Sequence, residues 1–178
     1  MTDVKNNPFL GPAWVPVVAA IKMLLSDDDM DAFHFDTYAK RYGMDPDRSP
    51  YIQARWDFDG HLQLEASGNL ICDPPLTEEQ FREMEFIGWT RPDVDPAGYG
   101  SGDPSDNPNF VRYYGPDANL DEVAEFFLTT LTAVYGLEET DYFAFETPDR
   151  VEALGGLKRL PVSEGNPDGC IFGLIIGD

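Results

Sequence analysis

The chain has 178 residues, 42% of them hydrophobic and 13% aromatic, enough for one globular domain with a proper core. Twelve basic residues stand against 33 acidic ones, for a net charge of −21 and a pI near 4.1. Such a field repels phosphate backbones and anionic lipid surfaces, so nucleic acid and membrane are disfavoured as partners. Two readings of it stay open, plain solubility and attraction for basic proteins or peptides.

No apolar run reaches the roughly 20 residues of a membrane span. The N-terminus lacks the positive region and cleavage site of a signal peptide. Cys72 and Cys170 lie far apart with no CxxC spacing, so two unpaired thiols in a cytoplasmic protein are expected.

In chain order, residues 1–12 read as a loose arm, and 13–178 as a single α+β domain. Ala13 to Leu25 spaces Val17, Val18, Ile21, Leu24 and Leu25 as one helix face, with Pro16 tolerable in its first turn. Ala32 to Phe35 reads as a short strand, and Asp36 to Tyr42 as a helical turn closed by Gly43. Tyr51 to Phe58 alternates, with Ile52, Ala54, Trp56 and Phe58 on one side and Tyr51, Gln53, Arg55 and Asp57 on the other. Leu62, Leu64 and Ala66 repeat the pattern after Asp59-Gly60. A two-residue loop would set these apolar sets on opposite faces. Parity therefore predicts a three-residue or bulged connection, pairing Phe58 with Leu62 and Trp56 with Leu64.

The next helix is marked at both ends. Thr77 and Gln80 fit a capping box, Leu76 and Phe81 a hydrophobic staple, and Gly88 a left-handed terminator after which Trp89 packs back on Met84. Arg91 to Asn109, with four prolines and four aspartates, is a long acidic loop. Asn109 to Tyr114 reads as a strand. Leu120 to Tyr135, capped by Asn119 and stopped by Gly136, reads as a core helix with Leu120, Val123, Ala124, Phe127, Leu131 and Val134 inward. Asp141 to Glu146 reads as a strand, Thr147-Pro148 to Gly155-Gly156 as a short helix, and Gly169 to Ile176 as a last strand.

The sequence carries no recognisable catalytic or cofactor motif. Gly155-Gly-Leu-Lys158 lacks P-loop spacing, and Gly98 to Gly102 opens no helix. Asp27, Asp29 and Asp31 begin like a calcium loop, but Ala32 and Tyr38 stand where glycine and the bidentate glutamate are needed. His34 and His61 belong to no metal cluster, and Ser67 and Ser101 to no nucleophile elbow. The expectation is no enzyme, no metal and no cofactor.

The order of marks Tyr51-Ile-Gln53, Leu64-Glu-Ala66, Gly68-Asn69, Leu76, Gly88-Trp89, Pro108-Asn-Phe110 and Leu131 to Gly136 resembles the TY-Chap domain. That group comprises type III secretion chaperone-like and YbjN-like peptide-binding domains. The chain departs from the pattern at Ser67-Gly68-Asn69, at Val111 and in its enlarged acidic loop. The resemblance, over Tyr51 to Leu137, implies an antiparallel sheet with helices packed on it, no catalysis, a peptide or protein partner, and a homodimer. Trp56, Trp89, Phe110, Tyr113 and Tyr114 are more aromatics than one core face needs. They are the candidate peptide-binding residues, suited to a basic or amphipathic segment. At least one of Tyr113 and Tyr114 must point away from the shared face. Two other readings compete. An acidic inhibitor or immunity-type protein would meet a basic effector with Asp93 to Asp106. A hydrolase would need His34 or His61 beside a carboxylate in a cleft.

Overall fold

The structure, a computed structural model, describes residues 12–27, 32–43, 45, 47–92, 108–145, 153–160 and 171–174. After a single 3-10 turn, Pro12–Trp14, come α1 (Val15–Leu25), β1 (Ala32–Tyr38), β2 (Tyr51–Trp56), β3 (Leu62–Ala66) and α2 (Glu78–Ile87). Then follow β4 (Phe110–Tyr114), α3 (Leu120–Thr129), β5 (Tyr142–Phe145), β6 (Leu157–Leu160) and β7 (Ile171–Leu174). The strands form one sheet in the order β4-β3-β2-β1-β5-β7-β6, every neighbouring pair antiparallel. This is the expected α+β architecture, an antiparallel sheet with helices packed on it.

The helices cover one side of the sheet. Phe33, Phe35, Ile52, Ala54, Leu62, Leu64, Ala66 and Phe110 meet the inward faces of α1, α2 and α3 in one buried cluster. Phe127 of α3 sits at its centre, its ring 5.8 Å from Phe33 and 5.5 Å from Phe35. Pro16 lies in the first turn of α1, as its missing N–H requires. Lys22 of α1 forms an ion pair with Asp121 at the start of α3.

The hairpin between β2 and β3 keeps the predicted parity, with the turn one residue earlier and each β3 residue facing a partner two positions before the expected one. Trp56 pairs with Leu62 and Ala54 with Leu64, so the apolar sets share a face. The Asp57 N–H donates to the His61 carbonyl (3.0 Å), leaving Phe58, Asp59 and Gly60 as the loop, with Gly60 at φ 79°. Asp57 explains the shift. Its carboxylate accepts from the backbone N–H groups of Asp59 and His61, at 2.9 and 2.8 Å, and so caps the turn instead of extending the strand. Those bonds, the His61 N–H foremost, hold its carboxyl below the usual carboxylate range. Phe58, expected on the buried side, is fully exposed at the loop tip.

Both ends of α2 follow the sequence. Thr77 and Gln80 exchange the two capping-box bonds, and Gly88 takes φ 109°. Gly88 and Trp89 return their N–H groups to Glu85 and Met84 at 3.0 and 2.9 Å, the Schellman closure. Elsewhere the reading is corrected. β1 runs on to Tyr38 because Thr37 and Tyr38 pair with Phe143 and Tyr142 of β5, leaving only Lys40–Tyr42 as a helical turn. The helix from Leu120 changes at Thr130 to a π turn, Thr130–Val134. Thr129, Thr130 and Thr132 each donate a hydroxyl to the carbonyl four residues back, the bonding that bends helices. β6 forms directly after Gly155-Gly156, where the sequence predicts no strand. The loop at 93–107 and the start of the Thr147-Pro148 helix lie outside the described residues.

Tyr42, Cys72 and Tyr135 are neutral acids in the core. Burial pushes the Cys72 thiol and the Tyr42 and Tyr114 hydroxyls up to about 12, and Tyr135 well above its ordinary value. A raised folded value keeps the group protonated in the native state while the unfolded chain ionises it. Stability is therefore fully present at neutral pH and is lost as pH rises from the ordinary thiol and phenol values, 9.0 and 10.0, toward about 12. Urea midpoints should fall across that range, and Cys72→Ala should flatten its first part. A profile unchanged by Cys72→Ala would contradict this account of the thiol.

Candidate functional site

Strand alternation that buries one side of the sheet leaves the other to polar side chains. Across β1, β2, β3 and β4 the side chains of this face, mostly polar, form rows set by register. His34, Gln53, Glu65 and Val111 make one row, and Ala32, Arg55, Gln63 and Tyr113 the next. Asp36 and Tyr51 stand opposite each other at the end. Arg55, Ala32 and Tyr113 are exposed, His34, Gln53, Gln63 and Glu65 half-buried, and Val111, bridged to Thr90, buried. Among the described residues no helix packs on this face. A shallow hollow of about 160 Å³ opens on it, lined by Ala32, Gln53, Arg55, Gln63 and Glu65.

One corner of the face is built by residues from three strands, their flanking positions and the residue that follows the π turn. Asn109, just before β4, is buried. Its Oδ1 accepts the Gly68 N–H at 2.9 Å, and its Nδ2 donates to Glu65 Oε1 (2.6 Å) and Tyr51 Oη (2.9 Å). Ser67 Oγ accepts the Tyr51 N–H at 2.7 Å and donates to the Tyr51 carbonyl at 3.1 Å. From the core side, the Tyr135 hydroxyl donates to the Ser67 carbonyl at 2.7 Å. Tyr51 loses acidity through burial first and then through the Glu65 charge, and its ring lies 4.3 Å from His34.

The five aromatics do not form one surface. Trp89 and Phe110 are buried, the first with its indole N–H on Thr130 Oγ1 (2.9 Å) and its ring 5.1 Å from Phe126, the second 5.0 Å from Phe81. Trp56 and Tyr114 are half-buried on the helix-covered side. Arg112 shares that side, its guanidinium 4.1 Å from the Phe126 ring and 4.9 Å from that of Tyr114. The Arg112 Nη1 donates to the Ile87 carbonyl at 3.0 Å, satisfying the end of α2. Only Tyr113 lies on the open face, 46% exposed. The expected split between Tyr113 and Tyr114 is what the pleat produces. The polar residues around Tyr113 were visible in the sequence as the other phase of the alternation that marked the core.

The two histidines sit in local pairs. His34 Nε2 lies 3.2 Å from Asp36 on the same strand face, and His61 Nδ1 lies 3.2 Å from Asp57 in the hairpin turn, all four side chains at least a third exposed. Each histidine is thus paired with a carboxylate two or four residues away in sequence. No group of three metal-ligating side chains, and no helix long and apolar enough to cross a membrane, occurs among the described residues. The acids of Asp93 to Asp106, on which an inhibitor would rely, lie outside them.

No curated protein and no solved structure matches the chain. A family model does, over residues 12–149, a span that begins before α1, passes the end of β5 and exceeds the stretch carrying the sequence resemblance. Its description is T3SS (YopN, CesT) and YbjN peptide-binding chaperone 3, and with that span matched the chain belongs to the TY-Chap3 family.

Proposed function

We propose that the chain is a non-enzymatic, chaperone-like module that holds a basic or amphipathic segment of a partner protein against the open face of its sheet. One observation carries the placement: Tyr113 is exposed there among polar rows that no described helix covers. An aromatic wall beside glutamine, arginine and glutamate side chains offers stacking and hydrogen bonds to an extended chain. The net charge of −21 favours a cationic one. The family's description as peptide-binding chaperones supports the same role. The reading includes a cytoplasmic setting, which suits a buried Cys72 thiol, and a homodimer, as the resemblance implies.

The test is affinity capture from the native host at about 0.15 M and about 1 M salt, with mass spectrometry. A specific partner carrying a basic segment should be retained by the wild type, lost at high salt and weakened by Tyr113→Ala. Equal capture by a Tyr113→Ala/Gln53→Ala variant would place binding elsewhere, and no specific partner at either salt would overturn the function.

A further inference from the structure

The hollow on the open face holds a carboxylate without a counter-charge. Glu65 is half-buried, and its Oε1 accepts from two neutral groups, the Tyr51 hydroxyl at 3.5 Å and, at 2.6 Å, Asn109, an amide itself only 6% exposed and anchored on Gly68. None of the ion pairs among the described residues includes Glu65. The nearest cation by register, Arg55, donates Nη2 to Gln63 Oε1 at 3.1 Å instead. Two neutral donors, both on the same oxygen, leave most of the charge of a partly buried carboxylate uncompensated. A cation from outside can supply the rest.

We infer that Glu65 is the seat for a primary ammonium, the lysine side chain of a bound segment, in this hollow. The inference rests on the peptide-binding reading above and adds the side chain that is recognised. Ala32 gives the rim an apolar surface for methylenes, while the Glu65 carboxylate and the Gln53 side-chain oxygen supply acceptors to a compact group with three donors. A guanidinium would bring a second broad cation beside Arg55. An acidic side chain directed at Arg55 would meet both Glu65 and the overall negative field.

Three fluorescein-labelled peptides, identical except for a central lysine, acetyl-lysine or glutamate within alternating leucine and threonine, test this by anisotropy against the full chain. The lysine peptide should bind wild type about tenfold more tightly than the acetylated one, the scale of a charge-assisted bond. Glu65→Gln, which keeps an oxygen for Asn109, should bring the two within about twofold at unchanged melting temperature, while Arg55→Gln should strengthen lysine binding. Peptide binding in which the lysine preference survives Glu65→Gln, or the acetylated peptide binds equally, would overturn the inference alone. A preference for the glutamate peptide would move recognition to Arg55. Failure of all three peptides to bind would overturn it together with the peptide-binding reading.

Discussion

Gly68→Ala is expected to destabilise the fold by about 3 kcal/mol or more, near the upper end of single-residue effects. A Cβ at this position would stand 2.0 Å from the Pro108 carbonyl oxygen and 3.2 Å from its carbon. Both are backbone atoms, so no side-chain rotation relieves the overlap. Nor can the strand simply move aside, because Asn109, the next residue, is tied to Gly68, Glu65 and Tyr51 at once. Moving it apart would strand a buried amide, which adds the cost of unmade hydrogen bonds to that of the clash. Gly43→Ala is the matched comparison. A Cβ there meets no atom within 4 Å among the described residues beyond its chain neighbours, so the φ of +74° sets the cost, about 1 kcal/mol. Urea unfolding of the two variants separates close approach from backbone conformation, and equal midpoint shifts would sink the steric account.

Trp89→Ala is expected to cost about 3–5 kcal/mol of stability, the range for truncating a buried large aromatic. It would leave the affinity of the remaining folded molecules for a peptide unchanged. Trp89 is only 3% exposed, packs 5.1 Å from Phe126 and donates its indole N–H to Thr130. Its backbone also closes α2. Since the alanine variant is at risk of not folding, Trp89→Phe gives the milder form: about 1–3 kcal/mol lost with the hydrogen bond, and normal binding. Tyr113→Ala should show the reverse, stability within about 0.5 kcal/mol and weaker binding. Thermal melts and anisotropy on the same three variants decide the matter. Wild-type stability with weakened binding for Trp89→Phe would make Trp89 a contact residue.

The contrast between these aromatics shows what was legible in the sequence. Period-two alternation and helix caps are local, so β2, β3 and both ends of α2 could be read directly. The extension of β1 could not, because Thr37 and Tyr38 are held as strand by β5, more than a hundred positions away in the chain. The pairing slips by two residues because the carboxylate of Asp57 competes with strand pairing, a contest that parity cannot decide. At the candidate site, counting aromatics selected Trp89 and Phe110, whose burial follows from the packing of α2 and β4. Parity, in contrast, separated Tyr113 from Tyr114 correctly. The role of Asn109 was hidden for a different reason: its partners at Tyr51, Glu65 and Gly68 come from distant stretches, and no spacing rule brings them together.

The alternation in β1 to β3 has a consequence for how this protein can change. Residues such as Ile52, Ala54 and Leu64 specify the shape, while their immediate neighbours Gln53, Arg55 and Gln63 face outward and lie outside the core cluster. Two instructions are thus interleaved in the same few residues, one for building and one for addressing. A new specificity can be written by altering every second residue, with the architecture left intact. Kinship in the frame therefore carries over from one such chain to another far more readily than the identity of what each one holds.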